Sequence, residues 1–125
     1  MFAKSFKLAM IAALILTFGF AATAAQAAPP AYNHDMSPYI TLTKAAQKLV
    51  ADGDLAGALK KAKELEEKWD NDTTDLKKAD SALWNLIDKQ MDVVIEALEA
   101  KDATKSAAEL KGLLEKYDRV PKPKP

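Results

Sequence analysis

From residue 37 onward, aliphatic side chains recur at spacings of three and four with charged residues between them, the rhythm of helices that bury one face. The first predicted helix spans residues 38–51, with Leu42, Ala45, Ala46, Leu49 and Val50 on one side. Ser37 is placed to cap it, and Pro38 falls at the first helical position, where a missing N–H costs nothing. In Asp52-Gly53-Asp54, Gly53 suits a left-handed helix end and Asp54 a cap for the next helix. That second helix, residues 55–69, carries Leu55, Ala58, Leu59, Ala62, Leu65 and Trp69 in one stripe, with Glu66 beside Leu65. Its outer face offers Lys60–Glu64, Lys63–Glu67 and Glu64–Lys68 as i,i+4 pairs, each worth about 0.2–0.5 kcal/mol.

Short polar residues at positions 70–74 interrupt the pattern, with Asp72 or Thr74 as the expected cap of a long third helix over residues 75–100. Leu76, Ala79, Leu83, Leu86, Ile87, Met91, Val94 and Leu98 form its stripe, with Trp84 beside it. Such a helix would be about 38 Å long, which calls for a bend near Gln90 or an overhanging end. Asp102 caps a fourth helix, residues 103–118, turning Ala107, Leu110, Leu113, Leu114 and Tyr117 inward. Strand-like alternation is absent from the sequence. The pattern therefore predicts an all-α protein, a small antiparallel four-helix bundle.

The first 27 residues follow a different rule. Lys4 and Lys7 precede an uncharged apolar run over residues 8–20, and Ala25-Gln26-Ala27 supplies small residues for a peptidase. This is the build of a cleaved secretory signal peptide. The run falls short of the roughly 20 apolar residues of a membrane span. The expected organisation is a signal peptide over 1–27, a flexible lead over 28–36, a helical bundle over 37–118 and a disordered Lys/Pro tail over 119–125. The expected location is the periplasm or the medium, with no stable membrane insertion after cleavage.

Composition narrows the function. Removing Lys4 and Lys7 with the leader turns a balance of 18 basic and 18 acidic residues into a net charge of about −2. That disfavours nucleic acid, which needs a net basic face. All four Phe residues leave with the leader, so Trp69, Trp84 and three Tyr supply the aromatic bulk. The chain has no Cys, which excludes disulfides, thiolate zinc and covalent haem.

Candidate chemistry is sparse. Asp88, Asp92, Glu96 and Glu99 recur along the third helix, with Asn85 one turn earlier; like charges at i,i+4 repel, so the strip is a candidate surface for a cation or a basic partner, the plainer reading being an exposed face neutralised by Lys89 and by lysines of neighbouring helices. Trp84, Asn85, Asp88, Asp92 and Glu96 are the candidate binding residues. Trp69 and Trp84 belong by position to core packing. His34 is the single histidine, and in Asn33-His34-Asp35-Met36 it could meet copper, above all if cleavage after Ala31 placed it third from a free amine. A solvated His in the lead is the plainer reading, so no metal ligand is assigned. With that His outside the bundle no Ser/His/Asp arrangement forms, and Gly53, Gly57 and Gly112 make no phosphate loop. No catalytic residue and no cofactor are assigned. The expectation is a non-enzymatic binding or interaction protein whose partner is an unknown protein or small ligand; the alternative is a metal- or cation-handling protein.

Two resemblances attach to particular residues. Asp52-Gly53-Asp54-Leu55-x-x-Ala58 resembles the turn of tetratricopeptide-type helical hairpins, although a 34-residue recurrence is missing. Gly53-Asp54-Leu55 with Ala58, Leu65-Glu66-x-x-Trp69-Asp70, Trp84-x-x-x-Asp88-Lys89 and Leu113-Leu114 resemble uncharacterised small exported bacterial helical-bundle proteins over about half the chain. In that group a His commonly follows the second Trp; Asn85 stands there instead, so a ligand role resting on that His is missing. The resemblance implies no activity.

Overall fold

The computed structural model describes residues 34–123. The signal peptide over 1–27, cleavage after Ala27, residues 28–33 of the lead and the last two tail positions lie outside the described residues. Five helices follow in order: α1 Ser37–Ala51, α2 Leu55–Asp72, α3 Thr74–Ala79, α4 Ser81–Glu99 and α5 Ala103–Tyr117. There is no strand among the described residues, and none of their helices is long and apolar enough to cross a membrane. Helix α1 packs on α2 and α5, α4 packs on the same two, and the short α3 rests on α4 and α2.

Most of the expected boundaries hold for the expected reasons. Gly53 takes φ +84°. The Asp54 carboxylate accepts the Gly57 N–H and the Asp102 carboxylate the Lys105 N–H, both at 2.9 Å. At the start of α1 the expected cap is corrected: Asp35, not Ser37, is the acceptor. Its carboxylate takes the Ser37 N–H at 2.9 Å and the Ser37 hydroxyl at 2.6 Å, and these hydrogen bonds hold it below the ordinary carboxylate range.

The single third helix is also corrected. The chain turns to φ −147°, ψ 80° at Asp80, whose carboxylate accepts the Leu83 N–H at 3.0 Å and starts a new helix. Neither Asp72 nor Thr74 caps: α2 runs through Asp72, and Thr73 joins α2 to α3, its hydroxyl donating to the Trp69 carbonyl at 2.6 Å. Gln90 lies within the unbroken α4. Its amide instead donates to the Glu109 carbonyl at 2.8 Å and the Glu109 carboxylate at 2.7 Å, tying α4 to α5.

The core contains Ala58, Ala62, Leu65 and Trp69 from α2 and Ile87, Met91, Val94 and Leu98 from α4, as the spacing required. Leu76, Leu110, Leu113 and Tyr117 join them. Ala79 and Ala107 were expected inside and are exposed. The break at Asp80 releases Ala79, and α5 buries Ser106 in place of its neighbour. Leu83 is only partly buried. The outer-face pairs differ too: Lys61–Glu64 at 3.3 Å and Lys68–Asp72 at 2.8 Å form instead of the expected three. Exposed as they are, they contribute little.

The ends of the domain are more ordered than their composition suggests. Met36, from the expected lead, and Val120, from the expected tail, are both buried, and the His34 N–H donates to the Pro121 carbonyl at 3.1 Å. Burying two apolar side chains offsets the cost of ordering these short segments.

Two halves of the domain correspond at a constant offset of 48 positions, in burial more than in residue type. Buried Met36, Tyr39, Thr43, Ala46 and Val50 match buried Trp84, Ile87, Met91, Val94 and Leu98. The capping Asp54 matches Asp102, and buried Ala58, Ala62, Leu65 and Trp69 match Ser106, Leu110, Leu113 and Tyr117. The turn hydrogen bonds repeat as well: Gly53 N–H to Val50 carbonyl and Lys101 N–H to Leu98 carbonyl, both 3.0 Å. The φ > 0 residue differs between the halves: Lys101 holds φ +58° where Gly53 stands in the other half. A Cβ disfavours that conformation. Lys101→Gly should therefore stabilise the domain by about 1 kcal/mol, read as a rise in the urea midpoint; an unchanged or lower midpoint would show that the turn carries no strain.

Candidate functional site

The candidate residues divide by their placement on α4. Trp84 belongs to the core. Its ring stacks on Trp69 with centroids 5.8 Å apart, and its indole N–H donates to the Thr73 hydroxyl at 2.7 Å. Tyr39 meets the other side of Trp69 edge-on at 5.6 Å, an arrangement that aromatic quadrupoles favour. Burial, ahead of the charges of Asp72 and Asp75, pushes the Tyr39 phenol up to about 12. Asn85, Asp92, Glu96 and Glu99 are exposed, and Asp88 is half-buried.

The structure places Asp88 and Asp92 near two carboxylates of another helix, Glu66 and Asp70. Glu66 and Asp70 lie one turn apart on α2, which packs along α4. Glu66 is half-buried; burial is the main cause of its raised pKa, followed by the neighbouring carboxylates of Asp92, Asp70 and Asp88. Asp88 is raised for the same kind of reason, first by burial and then by Asp92 and Asp70, with Lys77 on α3 pulling the other way. Lys77 also sits 4.4 Å from the centre of the Trp84 ring. Asn85 and Glu96 lie one turn before Asp88 and one turn after Asp92 on α4, both exposed.

The repeat supplies an internal control. At the matching seam between α5 and α1, Leu114 and Asp118 stand for Glu66 and Asp70, while Ile40 and Lys44 stand for Asp88 and Asp92. Ile40 and Leu114 are partly buried against the core. The same architecture thus accommodates an apolar pair and opposite charges where the α2–α4 seam carries four acids. Packing alone does not require them.

A pH dependence follows. An acid whose folded pKa is raised binds more protons folded than unfolded, so its favourable contribution is complete below the unfolded pKa and is lost as pH rises through the folded one. Acidification from neutral into the upper carboxylate range should therefore stabilise the domain. Glu66→Gln should raise stability at pH 7 by about 0.5 kcal/mol, the scale of a solvent-screened charge interaction. The gain should vanish as pH falls into the ordinary carboxylate range. Thermal melts of both proteins across pH check this, and parallel pH profiles would refute it.

His34 is placed away from the seam. Its Nδ1 lies 3.3 Å from the Asp75 carboxylate, with its ring 6.0 Å from that of Tyr39. No group of three or more His, Cys, Asp or Glu among the described residues converges closely enough to hold a metal ion. The seam residues missed from sequence, Glu66 and Asp70, carried one signal: Glu66 interrupts an apolar stripe. No protein-family model matches the chain, and no curated protein or solved structure matches it significantly.

Proposed function

We propose that the protein is an exported, non-enzymatic binding module, an antiparallel four-helix bundle released to the periplasm or medium by cleavage of its signal peptide. Its working surface in this reading is the acidic seam of Glu66, Asp70, Asp88 and Asp92, presented to a Lys- or Arg-rich segment of a partner protein. The packing of four long helices, each against two of the others, supports the bundle. The resemblance to small exported bacterial helical-bundle proteins agrees with the compartment.

One observation carries the seam reading. Four acids occupy a position whose repeat-related counterpart is built from Ile40, Leu114, Lys44 and Asp118. Clustered carboxylates destabilise the free protein, and a cation from a partner relieves that repulsion on binding. Neutralising charge on a partly buried surface mainly accelerates and orients association, and the effect weakens with salt. A resident metal is the weaker reading, because the carboxylates do not converge on one point.

The test is an NMR titration of the purified protein with a short lysine-rich peptide and, separately, with Ca²⁺. Peptide shifts should concentrate on Glu66, Asp70, Asp88 and Asp92, shrink in high salt and disappear in Asp88→Asn/Asp92→Asn. Shifts spread evenly over the surface, or untouched by that double substitution, would overturn the reading. Saturable Ca²⁺ binding at the seam would replace it with the cation-handling alternative.

A further inference from the structure

The four acids occupy only one end of the junction between α2 and α4. On α2, Leu59, Lys63, Glu66 and Asp70 follow one another at steps of four, three and four, so they share one helix face. On α4, Asp88, Asp92, Ile95 and Glu99 do the same. Glu66 neighbours Asp92 and Asp70 neighbours Asp88, so the two helices run antiparallel along this face. It continues past Lys63 and Ile95 to the place where α2 begins and α4 ends. A cavity of about 390 Å³ opens there, with Leu55, Ala56 and Leu59 of α2 and Leu98 of α4 as its apolar lining. Leu98 is buried, Leu55 and Leu59 are half-buried, and Ala56 is exposed. Apolar surface therefore remains within reach of an incoming side chain.

We infer that this cavity anchors a leucine-sized aliphatic side chain of a basic partner segment, whose lysines or arginines lie along the four acids. The inference rests on the acidic seam being a surface for such segments, and it adds a second requirement to the partner. The repeat supports it. The residues that stand for Leu55 and Leu59 on α5 are Ala103 and Ala107, both exposed. The α2–α4 face thus departs from its counterpart at both ends, with acids at one and leucines at the other, and packing demands neither. The volume is ample for one aliphatic side chain, and no polar residue of the lining is buried where it could orient a free small molecule. Charge fixes the direction in which the segment lies. Exposed Lys63 separates the cavity from Glu66 and confines the basic stretch to the acidic end. Leu59 and Glu66 are seven residues apart, about 10 Å along the helix, which an extended peptide covers in about three residues.

The experiment titrates the purified protein with a peptide of four lysines carrying one leucine three residues from the nearest of them, placed before the lysines in one version and after them in another. Controls replace the leucine, or all four lysines, by serine. One leucine version should bind about tenfold more tightly than its serine control, the return on burying much of one leucine side chain, with amide NMR shifts extending from the acids to Leu55, Leu59 and Leu98. Leu55→Ala/Leu59→Ala, which copies the other half, should remove that gain and leave the affinity for the leucine-free peptide unchanged. Should that variant fail to fold, the exposed substitution Ala56→Gln, which crowds the cavity mouth, gives the same readout. Equal affinity with and without leucine overturns the inference while leaving the acidic seam as a surface for basic segments; no binding of any lysine peptide overturns both. A gain that persists in the folded variants, or leucine-dependent binding that survives loss of the lysines, also overturns it. Self-association of the protein that disappears in Leu55→Ala/Leu59→Ala would assign the cavity to a second copy of the chain instead.

Discussion

Replacing Trp69 with Ala is expected to cost about 3–5 kcal/mol, a large part of the ~5–15 kcal/mol that holds a domain of this kind together. The residue has no solvent exposure and lies between Tyr39 and Trp84, so truncation removes both aromatic contacts and leaves a cavity at the α2–α3 junction. The same site gives a sharper comparison, because the buried Trp69 indole N–H has no hydrogen-bond partner. In the other half the Tyr117 hydroxyl meets the Thr43 hydroxyl at 2.8 Å, whereas the residue that replaces Thr43 by the repeat is Met91, a thioether. Trp69→Phe keeps a ring while deleting an unsatisfied donor, so it should cost well under half as much as Trp69→Ala. Urea denaturation of both variants decides the point. Equal losses would mean that the retained phenyl ring restores none of the packing and that deleting the unpaired donor brings no gain.

Leu110→Ala is the second large effect, about 2–5 kcal/mol, since Leu110 is fully enclosed where α5 meets its neighbours. Leu83→Ala should cost only about 1 kcal/mol, because Leu83 is partly buried at the first turn of α4 and its side chain retains contact with water. The helical pattern by itself puts the two leucines on an equal footing. Lys60→Ala and Lys63→Ala should both stay within about 0.5 kcal/mol of the parent, their side chains being exposed. Denaturant midpoints with a common slope check the ranking, and a Leu83 loss equal to that of Leu110 would place the α3–α4 corner deeper in the core than the structure has it.

The helix starts were legible where a polar side chain caps its own helix. Asp54 and Asp102 act within three residues along the chain, so their roles follow from local geometry and can be read in one dimension. Asp80 obeys the same local rule but lies within a continuous apolar stripe, and the pattern of Leu76, Ala79 and Leu83 hid it. The paired halves left a local trace in Glu67-Lys68-Trp69-Asp70 and Glu115-Lys116-Tyr117-Asp118. Elsewhere they agree in burial more than in residue type, as Thr43 and Met91 or Ala62 and Leu110 do, so the repeat emerges from packing.

The acidic strip shows the same division. Asp88, Asp92 and Glu96 were visible as a run along one helix, but a site depends on what faces it. Glu66 and Asp70 join Asp88 and Asp92 only because α2 lies along α4, and Trp84 leaves the candidate site only because Trp69 and Thr73 enclose it.

The sequence alone determined the helical class, the places where Asp and Gly stop and start the chain, and the leucine-rich faces, because these arise from interactions between residues three or four apart. Tertiary structure decided which carboxylates oppose one another, and which end of the domain is filled by an indole and which by a methionine. Those outcomes depend on the approach of helices distant in sequence, where burial and charge act across space and no spacing along the chain records them.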